Sequence, residues 1–113
     1  MDKELISLRI YEIVKHIDLA INDLSNVKEE DFTENSLLAR AVCFSIEQVC
    51  ENTIKLRKLF DDDFPGIPWD KIHNMRIIIA HMYVKVDIEK IYKLVKNNLP
   101  PLKEQMLEIL NSL

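Results

Sequence analysis

An apolar residue returns at every third or fourth position between Lys3 and Leu24: Ile6, Ile10, Ile13, Ile17, then Ala20 with Ile21, and Leu24. A period near 3.6 gathers all of them onto one stripe of an α-helix, whereas a strand would scatter them over both faces. The segment predicts a helix of about six turns with one buried side. Little elsewhere in the chain interrupts helix, since 113 residues include one glycine and four prolines. With 48% apolar residues the chain can bury a single core without metal or disulfide staples. The expectation is an all-α fold, an up-and-down bundle of four to five helices in one domain spanning residues 1–113.

The segment SNVKEEDFTEN breaks the first pattern. A second long helix is expected from a cap at Asn35 or Ser36 to about Phe60, carrying Leu38, Ala41, Val42, Ser45, Val49, Leu56 and Leu59 inward. Two long helices with a connection of about ten residues should form an antiparallel hairpin. DDDFPGIPW holds the only glycine and two of the prolines, so the chain turns there. Pro68 suits the first turn of a third helix reaching about Tyr83. Asp87 suits the cap of a fourth, through Tyr92, Leu94 and Val95, which NNLPP should end before a last helix from Leu102 to Leu110.

Cys43 and Cys50 are seven apart on one helix, about 10 Å along its axis, too far for a disulfide with each other. They are expected to be reduced core thiols. No leader-like segment or bilayer-length apolar run is evident, which implies a soluble, cytoplasmic protein with no membrane partner. The formal charge is −4, yet Lys71 to Lys103 holds seven basic residues against two acidic ones. That local excess of five positive charges could draw a polyanion to one face, or simply be a solvated helix surface.

The residues with chemical reach are Arg76, His81 and Tyr83, in the pattern R-x4-H-x-Y around the apolar run IIIA. Arginine grips phosphate, histidine exchanges a proton near neutral pH, and tyrosine offers a hydroxyl and a stacking face. Such a set can cleave a phosphodiester without metal: a base takes the ribose 2′-hydroxyl proton, an acid protonates the leaving oxygen, and a cation steadies the charge on phosphorus. At about 100° per residue Arg76 and Tyr83 share a face while His81 lies about 140° from Arg76. Either the helix ends near His81, or a second copy completes the site across a two-fold axis, which predicts a homodimer. The bland alternative is two surface residues and a satisfied histidine. His16, His73 and His81 lack metal-ligand spacing, Asp61 to Asp63 read as a solvated helix end, and no glycine loop cradles phosphate. No metal or cofactor is implied. Glu47 and Gln48 fall near the apolar face of the second helix, from which either could hydrogen-bond the helix carrying Arg76; the plainer alternative is an exposed glutamate.

The succession LRIYEIVKHID, SIEQVCENTIKL, FPGIPWDKIHNMR, AHMYVKVD and NNLPPLKEQM resembles the HepT-like branch of the HEPN superfamily over nearly its full length. The resemblance implies a dimeric helical toxin that cleaves RNA without metal, with Arg76 and His81 as the catalytic pair and Glu47 in support. It also implies a nucleotidyltransferase antitoxin as partner, which silences the toxin by transferring AMP to Tyr83. An alternative is a non-catalytic HEPN module that binds a nucleotide or docks the nucleotidyltransferase. Ile77 stands where the family commonly has a polar residue after the arginine, and Asn74 where glycine is frequent. An isoleucine there leaves the guanidinium with one support fewer.

Overall fold

The computed structural model describes residues 2–34, 36–60, 69–80 and 87–113, with the backbone alone at 79 and 80. They form helices α1 (Lys3–Asp23), α2 (Leu37–Arg57), α3 (Trp69–Ala80), α4 (Ile88–Lys93) and α5 (Leu99–Ser112), and among the described residues there is no strand. The predicted all-α bundle is the observed one.

Helices α1, α2 and α4 begin where a side chain takes over amides that lack a partner in the first turn. Asp2 accepts from the amides of Glu4 and Leu5 at 3.1 and 3.2 Å. Ser36 accepts from Ala39 at 3.0 Å, and Asp87 from Lys90 at 3.1 Å. The proposed caps at Ser36 and Asp87 therefore hold, while Asn35 and Pro68 lie outside the described residues. So does the Asp61–Asp63 run.

The α1 stripe is buried as its spacing requires: Ile6, Ile10, Ile13, Ile17, Ala20 and Leu24 have no exposed surface. Burying an isoleucine in this way contributes roughly 1.5–3 kcal/mol, so this one face is a large part of the driving force. Its main partner is α2, which runs antiparallel to it. Arg9 Nη1 donates to Asn52 Oδ1 at 3.2 Å near one end, and His16 meets Phe44 edge-on at 6.1 Å farther along. The second partner is α5, again antiparallel: Lys103 pairs with Asp18 at 2.7 Å, and Lys96 donates to the Leu24 carbonyl at 2.8 Å at the end of α1. A cation is favourable there because the last carbonyls of a helix carry partial negative charge. Helix α3 crosses to α2, with Cys50 Sγ 4.0 Å from the Ile72 carbonyl and the Arg57 guanidinium 5.2 Å from the Trp69 ring centre.

Four expectations need correction. Ala41 is exposed and Ala39 is the buried alanine of α2, because Ala39 lies three and four residues before Val42 and Cys43 on the buried stripe, whereas Ala41 is turned about 100° from Val42. Helix α2 stops at Arg57, and Leu59 and Phe60 close it in a turn, with the Leu59 amide on the Leu56 carbonyl at 2.9 Å. Glu47 does not lie by the apolar face; it is exposed. NNLPP does not end a helix. Leu94–Asn98 widens into a π-helical turn and runs straight into α5, whose first turn holds Pro100 and Pro101. Proline lacks an amide and clashes with the carbonyl four residues back, but a π turn follows an i→i+5 pattern. The connection before α2 is also more than a link: a 3₁₀ turn at Glu29–Asp31 sets Phe32 into the core against Tyr92, whose hydroxyl donates to the Val27 carbonyl at 2.7 Å.

Candidate functional site

Helix α3 is anchored by Ile72 and Met75, both buried, three residues apart on its inner side. That anchoring turns Arg76 outward along the edge facing α2, and Ile77 fully outward. The Arg76 side chain keeps about half its surface, 55%, yet it is not adrift: its Nη2 lies 3.4 Å from Glu51 Oε1 on α2. An exposed pair of this kind adds only ~0.2–1 kcal/mol to stability, so its consequence is orientation rather than strength. The guanidinium is held at one end and open to solvent at the other.

Glu51 is the residue that sequence reasoning missed. The family pattern drew attention to Glu47, one turn earlier and exposed on the same side of α2. Both carboxylates and Arg76 act on the Cys50 thiol beneath them. Burial comes first in pushing that thiol up to about 12, Glu51 adds to it, Arg76 opposes it, and Glu47 adds the least. The Arg76–Glu51 pair is the part of this charge that geometry fixes, with Glu47 one turn earlier on α2. The signal was available, since Glu47 and Glu51 are four apart and share a helix face.

Leu37, Phe44 and Glu51 are seven apart, hence along one face of α2. Leu37 and Phe44 are 77% and 57% exposed, and Ile77 beside Arg76 is 42% exposed. Apolar side chains thus lead directly up to the Arg76–Glu51 pair. His81 and Tyr83 lie outside the described residues, and with them the question of whether they converge on Arg76. The side chains of Ile79 and Ala80 belong to the same gap, so of IIIA only Ile77, exposed, and Ile78, packed against the core, can be placed.

Cys43 and Cys50 are free and buried. Burial pushes the Cys43 thiol up to about 11. Thiols held above their ordinary range carry little thiolate, in keeping with buried core residues. Among the described residues no group of histidine, cysteine or acidic side chains could hold a metal, and no helix is long and apolar enough to cross a membrane. Three lysines of the positive segment, Lys71, Lys90 and Lys93, border a cleft between α3 and α4, on the side of α3 away from Glu51.

The family model for ribonuclease HepT-like proteins matches residues 9–109, and the chain belongs to that family. "Putative RNase MJ1216" of Methanocaldococcus jannaschii is 27% identical over the whole of this chain and 93% of its own length. "Putative RNase TTE0752" of Caldanaerobacter subterraneus is 30% identical over 87% of this chain and 88% of its own length. "Probable ribonuclease HepT" of Thermococcus cleftensis is 29% identical over 81% and 84%. No solved structure matches the chain.

Proposed function

We propose that this protein is a metal-independent endoribonuclease that works at a cleft shared by two copies of the chain. The observation that carries the reading is Arg76 itself: in a chain of the HepT-like ribonuclease family, it is half exposed, paired with Glu51, and accompanied by exposed apolar side chains on α2 and α3. In this reading Arg76 binds the scissile phosphate and stabilises the charge that develops on it. His81 removes the 2′-hydroxyl proton or returns one to the departing 5′-oxygen, and the histidine of the second copy supplies the complementary role. The 2′-oxygen bonds to phosphorus as the bond to the 5′-oxygen breaks, leaving a 2′,3′-cyclic phosphate. Leu37, Phe44 and Ile77 are the surface through which the copies meet, and Glu51 does for the guanidinium what a polar neighbour in place of Ile77 would do.

Tyr83 is the proposed point of control. A nucleotidyltransferase antitoxin would transfer AMP to its hydroxyl, putting bulk and a negative phosphate beside the arginine that RNA needs. Exposed Ile77 next to Arg76 favours a second reading, a non-catalytic module that uses the same face to dock a nucleotidyltransferase or hold a nucleotide. Unmodified protein incubated with single-stranded RNA separates the two. Cleavage to cyclic-phosphate ends, lost in His81→Ala, is the expected result; intact RNA after prolonged incubation would remove the nuclease reading. Intact mass after co-expression with the nucleotidyltransferase should show AMP adducts that Tyr83→Phe lacks.

A further inference from the structure

Lys71, Asn74, Lys90, Lys93 and Asn98 surround a cleft of about 260 Å³ between α3 and the run from α4 into the π turn. Its floor is apolar, made by Met75, Ile78 and Leu94. Cationic and amide donors around an apolar floor suit a phosphate joined to a sugar and base, the donors taking the oxygens and the floor the carbon surface. The volume falls just short of the ~300 Å³ at which pockets for whole small ligands begin, so it accommodates one unit of a longer molecule better than a complete free one. Leu94 and Asn98 open and close the π turn, a kind of distortion that recurs at functional sites.

We infer that this cleft is a subsite for one nucleotide of the RNA strand, distinct from the place of cleavage at Arg76. The inference rests on the ribonuclease reading above. Lys71 and Asn74 line the side of α3 that faces α4, whereas Arg76 leaves the same helix toward α2. A helix with its side chains is about 10–12 Å across. That distance corresponds to about three nucleotide steps at the ~3.4 Å rise of a stacked strand. The strand would cross the exposed back of α3, its scissile phosphate at Arg76 and a more distant phosphate among the lysines. Lys93 donates to Glu89 at 2.6 Å and Lys90 lies 3.9 Å from Asp87; both pairs are exposed, where a pair adds little to stability, so a phosphate can compete with the carboxylates for the ammonium groups. Most of the chain is acidic, so this is where a polyanion meets least repulsion.

The test uses the full chain carrying His81→Ala, so that RNA is bound and not consumed, with and without Lys71→Gln and Lys93→Gln. A ten-nucleotide single-stranded RNA should bind on the order of tenfold more weakly to the doubly changed protein, and the slope of log K against log salt should flatten by about 0.7 for each lysine lost. Lys71→Arg with Lys93→Arg should restore both, and a thermal melt confirms that the variants fold. In otherwise unaltered protein the glutamine pair should raise KM for the ten-nucleotide RNA and leave cleavage of a dinucleotide, too short to reach the cleft, unchanged. Equal affinity and equal slope with and without the lysines, while unaltered protein still binds and cuts RNA, would overturn the subsite alone. No binding of RNA by any form would overturn the ribonuclease reading together with it. Displacement of the RNA by AMP at comparable concentration would also overturn the inference, in favour of a free mononucleotide.

Discussion

Helices α1 and α3 are both amphipathic, and they are used in opposite ways. Helix α1 spends 21 residues on one continuous buried stripe with two partner helices. Helix α3 has 12 residues, and of its described side chains only Ile72 and Met75 are buried. Trp69 and Ile78 are half-buried against the core, and the polar side chains lie on both flanks: Arg76 toward α2, Lys71 and Asn74 toward α4, with Ile77 exposed. Packing is concentrated in α1 with α2 and α5, whereas the helix that carries Arg76 is held by a narrow inner edge. Side chains that touch substrate must give up packing, so a division of this kind frees them to do so.

The largest effect that would break this contrast is on catalysis. Arg76→Ala should lower RNA cleavage by about 10²–10⁴-fold while changing unfolding free energy by no more than about 1 kcal/mol, because its ion pair among the described residues, with Glu51, is exposed; a large loss of stability in urea unfolding would show that α3 is structural after all. Ile13→Ala is the converse, expected to cost about 2–5 kcal/mol in the same experiment. Ile77→Ala removes the same atoms from a site exposed in the single chain, and in protein kept monomeric it should stay within about 0.5 kcal/mol. Phe44→Glu tests the surface between them. If two copies meet there, sedimentation should show dimers giving way to monomers with cleavage lost; an unchanged mass would direct attention to another face.

The smallest effect concerns pH. Burial holds His16 below its ordinary value of 6.5, Glu12 at 3.6 Å pulling it back up and Lys15 lowering it further. The folded chain keeps His16 neutral where the unfolded chain would protonate it. Its contribution to stability is therefore full above about pH 6.5 and is lost as pH falls below that value. His16→Gln should flatten the stability profile between neutral pH and the folded-state value, measured by denaturant midpoints, and leave the profile above neutrality alone.

What the sequence made legible follows from where packing and local chemistry agree. The α1 stripe, the Ser36 and Asp87 caps and the antiparallel hairpin were readable because period and capping residue pointed to the same structure. Pro100 and Pro101 misled because a proline argues against the α-helical hydrogen-bond pattern, not against every helix, and a π turn satisfies it. Ala41 misled because a stripe on a helix with a broad buried face does not identify which of two alanines, two apart, turns inward. For the site, Arg76 stood out by its motif. Glu51 did not, since choosing between two acids one turn apart needs the position of the facing helix. The lysine cleft was visible only as a charge imbalance between Lys71 and Lys103, because its two walls come from helices whose packing no spacing rule fixes.

The Ile72 carbonyl resting on Cys50 turns the narrow anchoring of α3 into something that can be timed. A thiol shielded in this way reacts with an alkylating reagent only during moments when its cover lifts, so the rate of labelling counts openings. Cys50 lies under α3, and Cys43 sits two turns away on the same helix. If α3 detaches more often than the bundle unfolds, Cys50 will label ahead of Cys43, and the protein carries its own clock for the helix that displays its arginine.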